Sequence, residues 1–299
     1  MLLHLPASTS PPVWLIDTSI YMYRAWHTKE PPLLNSQGQP INAVRGFLRW
    51  LYAFLSETQP LEIAFAFDAP QTQSVRRALY PAYKAHRKPT PNELKDQFQL
   101  CRDFLTALGF ITYSSPQFEA DDIIGTWVTQ QSAQTPCYII SGDKDLMQLV
   151  RDRDVWWDYG KRPAFNEGKI KKATGVWPKQ IPDQLALAGD ESDNIVGIEG
   201  IGVASAAKIL NKFTSIEVLF MRLPEMAQLK HLRYAKLLQE RIGQQEAQLR
   251  LNKQLTKICC DVPDVPHDLS RKTTDLGSLT ALSEPLGLTA EQLALWATL

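Results

Sequence analysis

Nine carboxylates stand where a folded chain could gather them. Asp17, Asp68 and Asp143 each close a short apolar run, "VWLID", "IAFAFD" and "CYIISGD". Glu119, Asp121 and Asp122 open a helical pattern in "FEADDIIG", and Asp145 follows Asp143 by two residues. Asp190 and Asp193, in "LAGDESDNIVG", are three apart and are expected on one face of a helix. Taken singly, each has an ordinary explanation, because aspartate caps helices and acids in a first turn complement the helix dipole. Capping does not call for aspartate at the end of three separate strands. Carboxylates crowded in one crevice repel each other and require hard cations with oxygen ligands; Mg²⁺ fits, with Mn²⁺ able to substitute. Two such ions about 4 Å apart serve in-line displacement at phosphorus, so the chemistry expected is phosphodiester hydrolysis. The five histidines, His4, His27, His86, His231 and His267, show no metal-ligand spacing.

Directly after Asp68 comes "QTQSVRRALYPAYKAHRKPTPN", with Arg76, Arg77, Lys84, Arg87 and Lys88 interleaved with Tyr80 and Tyr83 and no acid at all. A charge run is ordinarily a solvated face, but this one adjoins the acidic crevice and fits a phosphate-gripping element. A second basic run, Lys161 to Lys172, is explained as well by solvation. In "GIEGIGVASAAKIL", Gly197, Gly200 and Gly202 precede a helix that carries Lys208. Glycines allow close backbone approach, and the following helix N-terminus offers N–H groups to a phosphate. The same glycines could make a plain helix-to-helix turn, and the stretch is neither a P-loop nor a dinucleotide fingerprint.

The elements that must position these residues alternate. The three apolar runs, and a weaker one from Phe110 to Ser114, read as buried strands; Ala43 to Thr58, Asn92 to Leu108 and Glu119 to Gln131 read as helices. Such alternation predicts a parallel α/β sheet, whose ligands bind outside the carboxyl ends of the strands. Beyond about Pro178 the pattern is helical, and "DVPDVPHD" marks a boundary near Pro266. The expected division is a flexible leader (1–12), an α/β nuclease domain (13–180) with a basic arch (70–92), a helical DNA-binding region (181–265) with a hairpin at 194–210, and a C-terminal extension (266–299).

The 299 residues are 44% hydrophobic and 21% charged, as in an ordinary globular protein, and carry zero net charge, which weighs against an indiscriminate polyanion binder. Cys101, Cys137, Cys259 and Cys260 have no zinc-like spacing and read as free thiols. The N-terminal apolar run stops at Pro6 without a basic start, so no signal peptide or membrane span is expected, and the location is expected to be cytoplasmic.

The stretches "LIDTSIYMYRAW", "AFDAPQTQSVRRALYPAYKAHRKPTP", "FEADDIIG", "SGDKDLMQLV" and "LAGDESDNIVGIEGIGVASAAKIL" together resemble the 5′-nuclease (flap endonuclease) family, in particular the 5′-nuclease domain of bacterial DNA polymerase I, from Val13 to Pro266. The resemblance implies a Rossmann-like, PIN-type parallel sheet with a helical arch and a C-terminal helix-hairpin-helix region. It implies a 5′-3′ exonuclease or flap endonuclease that cleaves DNA near 5′ flaps or 5′ ends with two metal ions, in replication or repair. Asp17, Asp68, Glu119 and Asp121 match a first metal cluster; Asp143, Asp145, Asp190 and Asp193 match a second, with Asp122 at the junction. Lys84 and Arg87 match arch residues that contact the scissile phosphate. Arg76, Arg77, Tyr83, Lys88 and Lys208 join them as DNA contacts, and the hairpin glycines imply a duplex grip with K⁺ on backbone carbonyls. A stand-alone monomer is expected, with no polymerase partner evident. Thr18 replaces the glycine that usually follows the first aspartate, and Ala78 replaces a common glutamate in the arch. Two alternatives stay open: a DNA-junction binder with little catalysis, and a nuclease of the same fold directed to RNA primers. A dehalogenase-like phosphatase needs a second aspartate two residues after Asp17, where Ser19 stands.

Overall fold

The computed structural model describes residues 10–28, 31, 33–69 and 73–298. Most of the expected leader lies outside them. Five strands, β1 (Val13–Asp17), β2 (Glu62–Asp68), β3 (Ile111–Ser115), β4 (Cys137–Ile140) and β5 (Val155–Trp157), form one sheet in the order β3-β2-β1-β4-β5. Every pairing is parallel. Between the strands run α1 (Thr18–Trp26), α2 (Asn42–Thr58), α3 (Val75–Leu79), α4 (Asn92–Ala107) and α5 (Ala120–Gln130). Eight more helices follow the sheet: α6 (Glu167–Thr174), α7 (Ile181–Ala188), α8 (Val203–Phe213), α9 (Ile216–Met221), α10 (Ala235–Gln244), α11 (Glu246–Thr256), α12 (Leu276–Ala281) and α13 (Ala290–Ala297).

Strand side chains alternate between faces, so β1 feeds two cores. Val13 and Leu15 pack with α5 and the helical region from α7 onward. Trp14 and Ile16 pack with α1, α2 and α4. Burial on both faces is why the strands read as continuous apolar runs instead of alternating ones. Leu15 and Ile16 are fully buried, and truncating either to Ala should cost about 2–5 kcal/mol.

Three local expectations change. β4 stops at Ile140, so Asp143 lies in the loop beyond the strand. Among the described residues of 70–92, α3 gives way to a run of turns and extended backbone that lasts until α4 begins at Asn92. Pro81, Pro89 and Pro91 explain this, since each removes an N–H donor. Tyr80, ahead of Pro81, is extended (φ −143°, ψ 96°), as a residue before proline prefers. The C-terminal extension is an integral strap. Ser270 bridges Glu62, Lys272 N donates to Gly109 O at 2.8 Å, and Trp296 packs edge-on against Tyr52 and Phe104 at 5.4 and 5.2 Å between centroids. Among the described residues, no helix is long and apolar enough to cross a membrane.

Candidate active site

The strand order reverses between β1 and β4, the switch point where open parallel sheets form their ligand crevice. Asp17 ends β1 and caps α1, its Oδ1 accepting from Ile20 N at 3.5 Å. Its Oδ2 accepts from Ser141 Oγ at 2.7 Å, and the same hydroxyl accepts from Asp143 N at 2.9 Å. One buried serine therefore ties the Asp17 carboxylate to the main chain of the loop that carries Asp143. Asp68 Oδ1 accepts from Ala120 N at 2.9 Å, which fixes the start of α5, while Asp68 N donates to Ser19 Oγ at 2.9 Å. Thr18 sits buried in the first turn of α1, and Asp17 still caps that helix. Asp143 Oδ1 accepts from Asp145 N at 3.0 Å.

Asp190 and Asp193 are not on a helix. They belong to a tight turn closed by reciprocal Asp190–Ile195 main-chain bonds of 2.8 Å, with Ser192 N donating to Asp190 Oδ1 at 2.8 Å. The turn narrows at its base, where a Cβ on Gly189 would come within 2.6 Å of Gly197 N. Gly197 thus serves backbone contact inside the protein, not the phosphate approach expected of it. The turn brings oxygens of Asp190, Asp193 and Asp145 within 4.8 Å of one another.

Crowding shows in the acidities. Burial, then the neighbouring Asp68, pushes the Asp17 carboxyl up to about 7. Burial, then Asp143, pushes Asp145 up to about 8. Burial raises Asp68, Asp121 and Asp143 as well. Glu119 goes the other way: burial would raise it, but Lys84 and Arg76 outweigh burial and hold it at about 2. Oxygen-only donors whose charge is raised in energy by mutual repulsion suit a hard divalent cation. Residues Asp17, Asp68, Asp121, Asp143, Asp145, Asp190 and Asp193 fit such ions by donor chemistry, whereas the oxygens of Glu119, expected in the first metal cluster, are taken by Lys84, Arg76 and Tyr83.

The arch reaches into this centre. Lys84 takes φ +53° and places Nζ 2.9 Å from both Glu119 oxygens and 3.5 Å from Asp193 Oδ2. Burial alone would lower its pKa, yet Glu119 and Asp193 outweigh burial and raise it. Arg87 donates to Asp193 Oδ1 at 2.9 Å and to Ser192 O, with half its side chain exposed. Arg77 and Lys88 point to solvent.

Three expected site residues do other work. Asp122 is fully buried, and both its oxygens are filled: Oδ1 accepts from Arg76 Nη2 (2.6 Å) and Cys259 N (2.8 Å), Oδ2 from Arg76 Nη1 (2.6 Å) and Glu119 N (3.0 Å). It ties α3 to α5 and is not available as a junction ligand. Arg76 also donates through Nε to Leu255 O at 3.0 Å, through Nη1 to Glu119 Oε2 at 3.4 Å and through Nη2 to Lys257 O at 3.3 Å, so its guanidinium is spent on partners inside the protein. Tyr83 is also buried, its hydroxyl within 3.0 Å of Glu119 Oε2 and 2.9 Å of Asp193 Oδ2, so its ring cannot stack on a base.

In the hairpin, Gly200 has φ +88° and Gly202 caps α8 with open space around it. Lys208 is exposed and donates to His231 O at 3.1 Å. Sequence reasoning missed Ser19 and Ser141, whose roles depend on hydroxyl direction, and it missed the arch's internal partners.

One family model, described as the 5′-3′ exonuclease N-terminal resolvase-like domain, matches residues 12–175. A second, the 5′-3′ exonuclease C-terminal SAM fold, matches residues 176–276. The chain belongs to the 5′-3′ exonuclease family. A 5′-3′ exonuclease of Aquifex aeolicus is 36% identical over 207 residues, which is 69% of this chain and 71% of that protein. DNA polymerase I of Bacillus subtilis is 35% identical over 256 residues, 83% of this chain but 28% of the polymerase. The chain thus spans under a third of the length of its polymerase relatives. Among solved structures, zinc-bound T5 5′-exonuclease matches with a TM-score of 0.66 at 18% identity, covering 96% of this chain and 97% of that one. The catalytic core of Rad2 with DNA substrate matches at 0.59 and 17% identity, covering 94% and 90%. The α/β parallel fold of PIN type with a SAM-like helical region is therefore the family's fold, and the chain is a nuclease of that family.

Proposed function

We propose that this nuclease hydrolyses DNA phosphodiesters near 5′ flaps and 5′ ends, with divalent ions held by Asp17, Asp68, Asp121, Asp143, Asp145, Asp190 and Asp193. The observation that carries this reading is the convergence of Asp145, Asp190 and Asp193 beneath a basic arch. When bound, a pair of Mg²⁺ ions supplies Lewis-acid stabilisation of the pentavalent phosphorus and lowers the pKa of water.

The remaining chemistry belongs to the chain. Lys84 is the cation best placed to meet a non-bridging phosphoryl oxygen, because its ammonium is already desolvated beside Glu119. Arg87, half exposed at the rim, offers a planar fork to the next phosphate. Tyr83 holds Glu119 and Asp193 in place through its hydroxyl. The N-terminus of α8, whose N–H groups no side chain caps, with Gly202 open and Val203 exposed, suits the duplex backbone some distance from the cut, with Lys208 alongside. A K⁺ on the carbonyls of the hairpin belongs to the same reading; the Glu199 carbonyl already accepts from Arg241 Nη1 at 2.7 Å. The domain boundaries near 180 and 265, a monomeric state and a reducing, cytoplasmic location that suits four free thiols complete it.

The test is a 5′-labelled flap duplex incubated with the protein in Mg²⁺ and separately in EDTA. Cleavage near the junction in Mg²⁺ alone is expected. Retention of the flap without cleavage in Mg²⁺ and Mn²⁺ would replace this reading with a junction binder, and cleavage of an RNA flap alone would change the substrate class.

A further inference from the structure

The loop from Ser141 to Asp145, which carries two of the site's carboxylates, is braced from β5 at two points. Trp156 Nε1 donates to the Asp143 carbonyl at 2.7 Å. One residue past the strand, Asp158 grips Arg24 through bonds of 2.6 Å to Nη1 and 3.0 Å to Nη2. Asp158 is buried, and the guanidinium of Arg24 lies 5.1 Å from the Tyr21 ring centroid. The nitrogen that Asp158 holds is also the one that touches the loop: a Cβ on residue 142 would fall on Arg24 Nη2. Arg24 comes from α1, the helix capped by Asp17. A single contact chain, Asp158–Arg24–Gly142, therefore connects β5, α1 and the loop between the two groups of carboxylates.

We propose that Asp158 is a positioning residue of the metal centre, fixing Asp143 and Asp145 by clamping Arg24 against Gly142. The inference rests on the reading of those two aspartates as metal ligands. Asp158 touches neither ion nor substrate; its carboxylate removes the rotational freedom of a long cationic side chain and so makes it a rigid wall for the loop. Gly142 is required because any larger residue would push the guanidinium out of its clamp. Nothing in the "VWWDYG" segment announces this, since the partner lies more than a hundred residues upstream.

The experiment is titration of the full chain with Mn²⁺, followed by electron paramagnetic resonance of the free ion. Asp158→Asn should weaken Mn²⁺ binding about tenfold, the lower end of what groups that support metal ligands usually contribute. Gly142→Ala should weaken it similarly by expelling Arg24. In an Arg24→Ala background, Gly142→Ala should add nothing further, because the clash it creates is gone. That non-additivity tests the brace without touching the buried carboxylate, in case Asp158→Asn folds poorly. Wild-type Mn²⁺ affinity in both single variants, or full additivity of Gly142→Ala with Arg24→Ala, would overturn the brace. Asp143→Ala is the reference: if it too binds Mn²⁺ as the wild type does, the metal reading itself falls, and the brace with it.

Discussion

Asp17 and Asp68 stand at the ends of β1 and β2, held by main-chain N–H groups and serine hydroxyls, whereas Asp193 hangs from a turn and is held by Tyr83, Lys84 and Arg87 of the arch. Burial raises the pKa of both strand-end carboxyls, and a neighbouring carboxylate adds to it, Asp68 on Asp17 and Glu119 on Asp68. The turn carboxylate faces cations. The same residue type therefore plays opposite parts in stability: at the strand ends an ionised carboxyl opposes folding, and in the turn it joins two parts of the chain.

Removing ligands from either half should have the largest effect on turnover. Asp143→Ala and Asp193→Ala are each expected to reduce flap cleavage to background while leaving duplex binding largely intact. Differential scanning calorimetry of the metal-free proteins should separate the halves, with Asp17→Asn raising Tm and Asp193→Asn lowering it. Equal signs would erase the contrast.

The arch comes next. Arg76→Ala leaves Asp122 charged, buried and unpaired, a loss of about 3–5 kcal/mol that urea unfolding should register. Lys84→Ala should slow cleavage about a hundred- to thousandfold, measured under single turnover, and lower the urea midpoint less than Arg76→Ala does, because Arg76 still pairs with Glu119.

A smaller, pH-dependent effect sharpens the comparison. Asp17 and Asp145 are raised from 3.8 to about 7 and about 8, so the folded chain holds protons that the unfolded chain has released. Their favourable contribution is complete below the unfolded value and is lost as pH rises through the folded ones. Metal-free protein should therefore melt a few degrees lower at pH 9 than at pH 6, and saturating Mg²⁺ should remove the difference. A metal-free Tm that climbs over this interval would contradict it. Smallest of all, Arg87→Ala should change stability by about 1 kcal/mol or less, because half of that side chain is in water.

How much was legible depends on whether a residue's role is set locally. β1 and β2 could be read because buried parallel strands are continuous apolar runs, and the aspartates that end them follow from the same pattern. β5 could not, as three residues between charged neighbours give no periodicity. Asp190 and Asp193 were placed together for the wrong reason, helical spacing, where a turn pinched at Gly189 and Gly197 does the work. Asp122 and Arg76 each looked functional, but their bond to one another crosses from α3 to α5 and leaves no mark in either segment. Tyr83 among basic residues reads as a DNA contact; only its burial beside Glu119 shows its hydroxyl engaged inside the protein.

Trp296 seals the face of α2 and α4 by closing on Tyr52 and Phe104. During synthesis those two residues leave the ribosome well before α13 exists, an interval of roughly 10–40 s at about 5–20 residues per second. Once β5 is complete at Trp157, and until Trp296 arrives, the growing chain carries a finished sheet with one uncovered aromatic flank, a natural landing place for a chaperone and a natural point of failure for any truncation that stops short of Trp296.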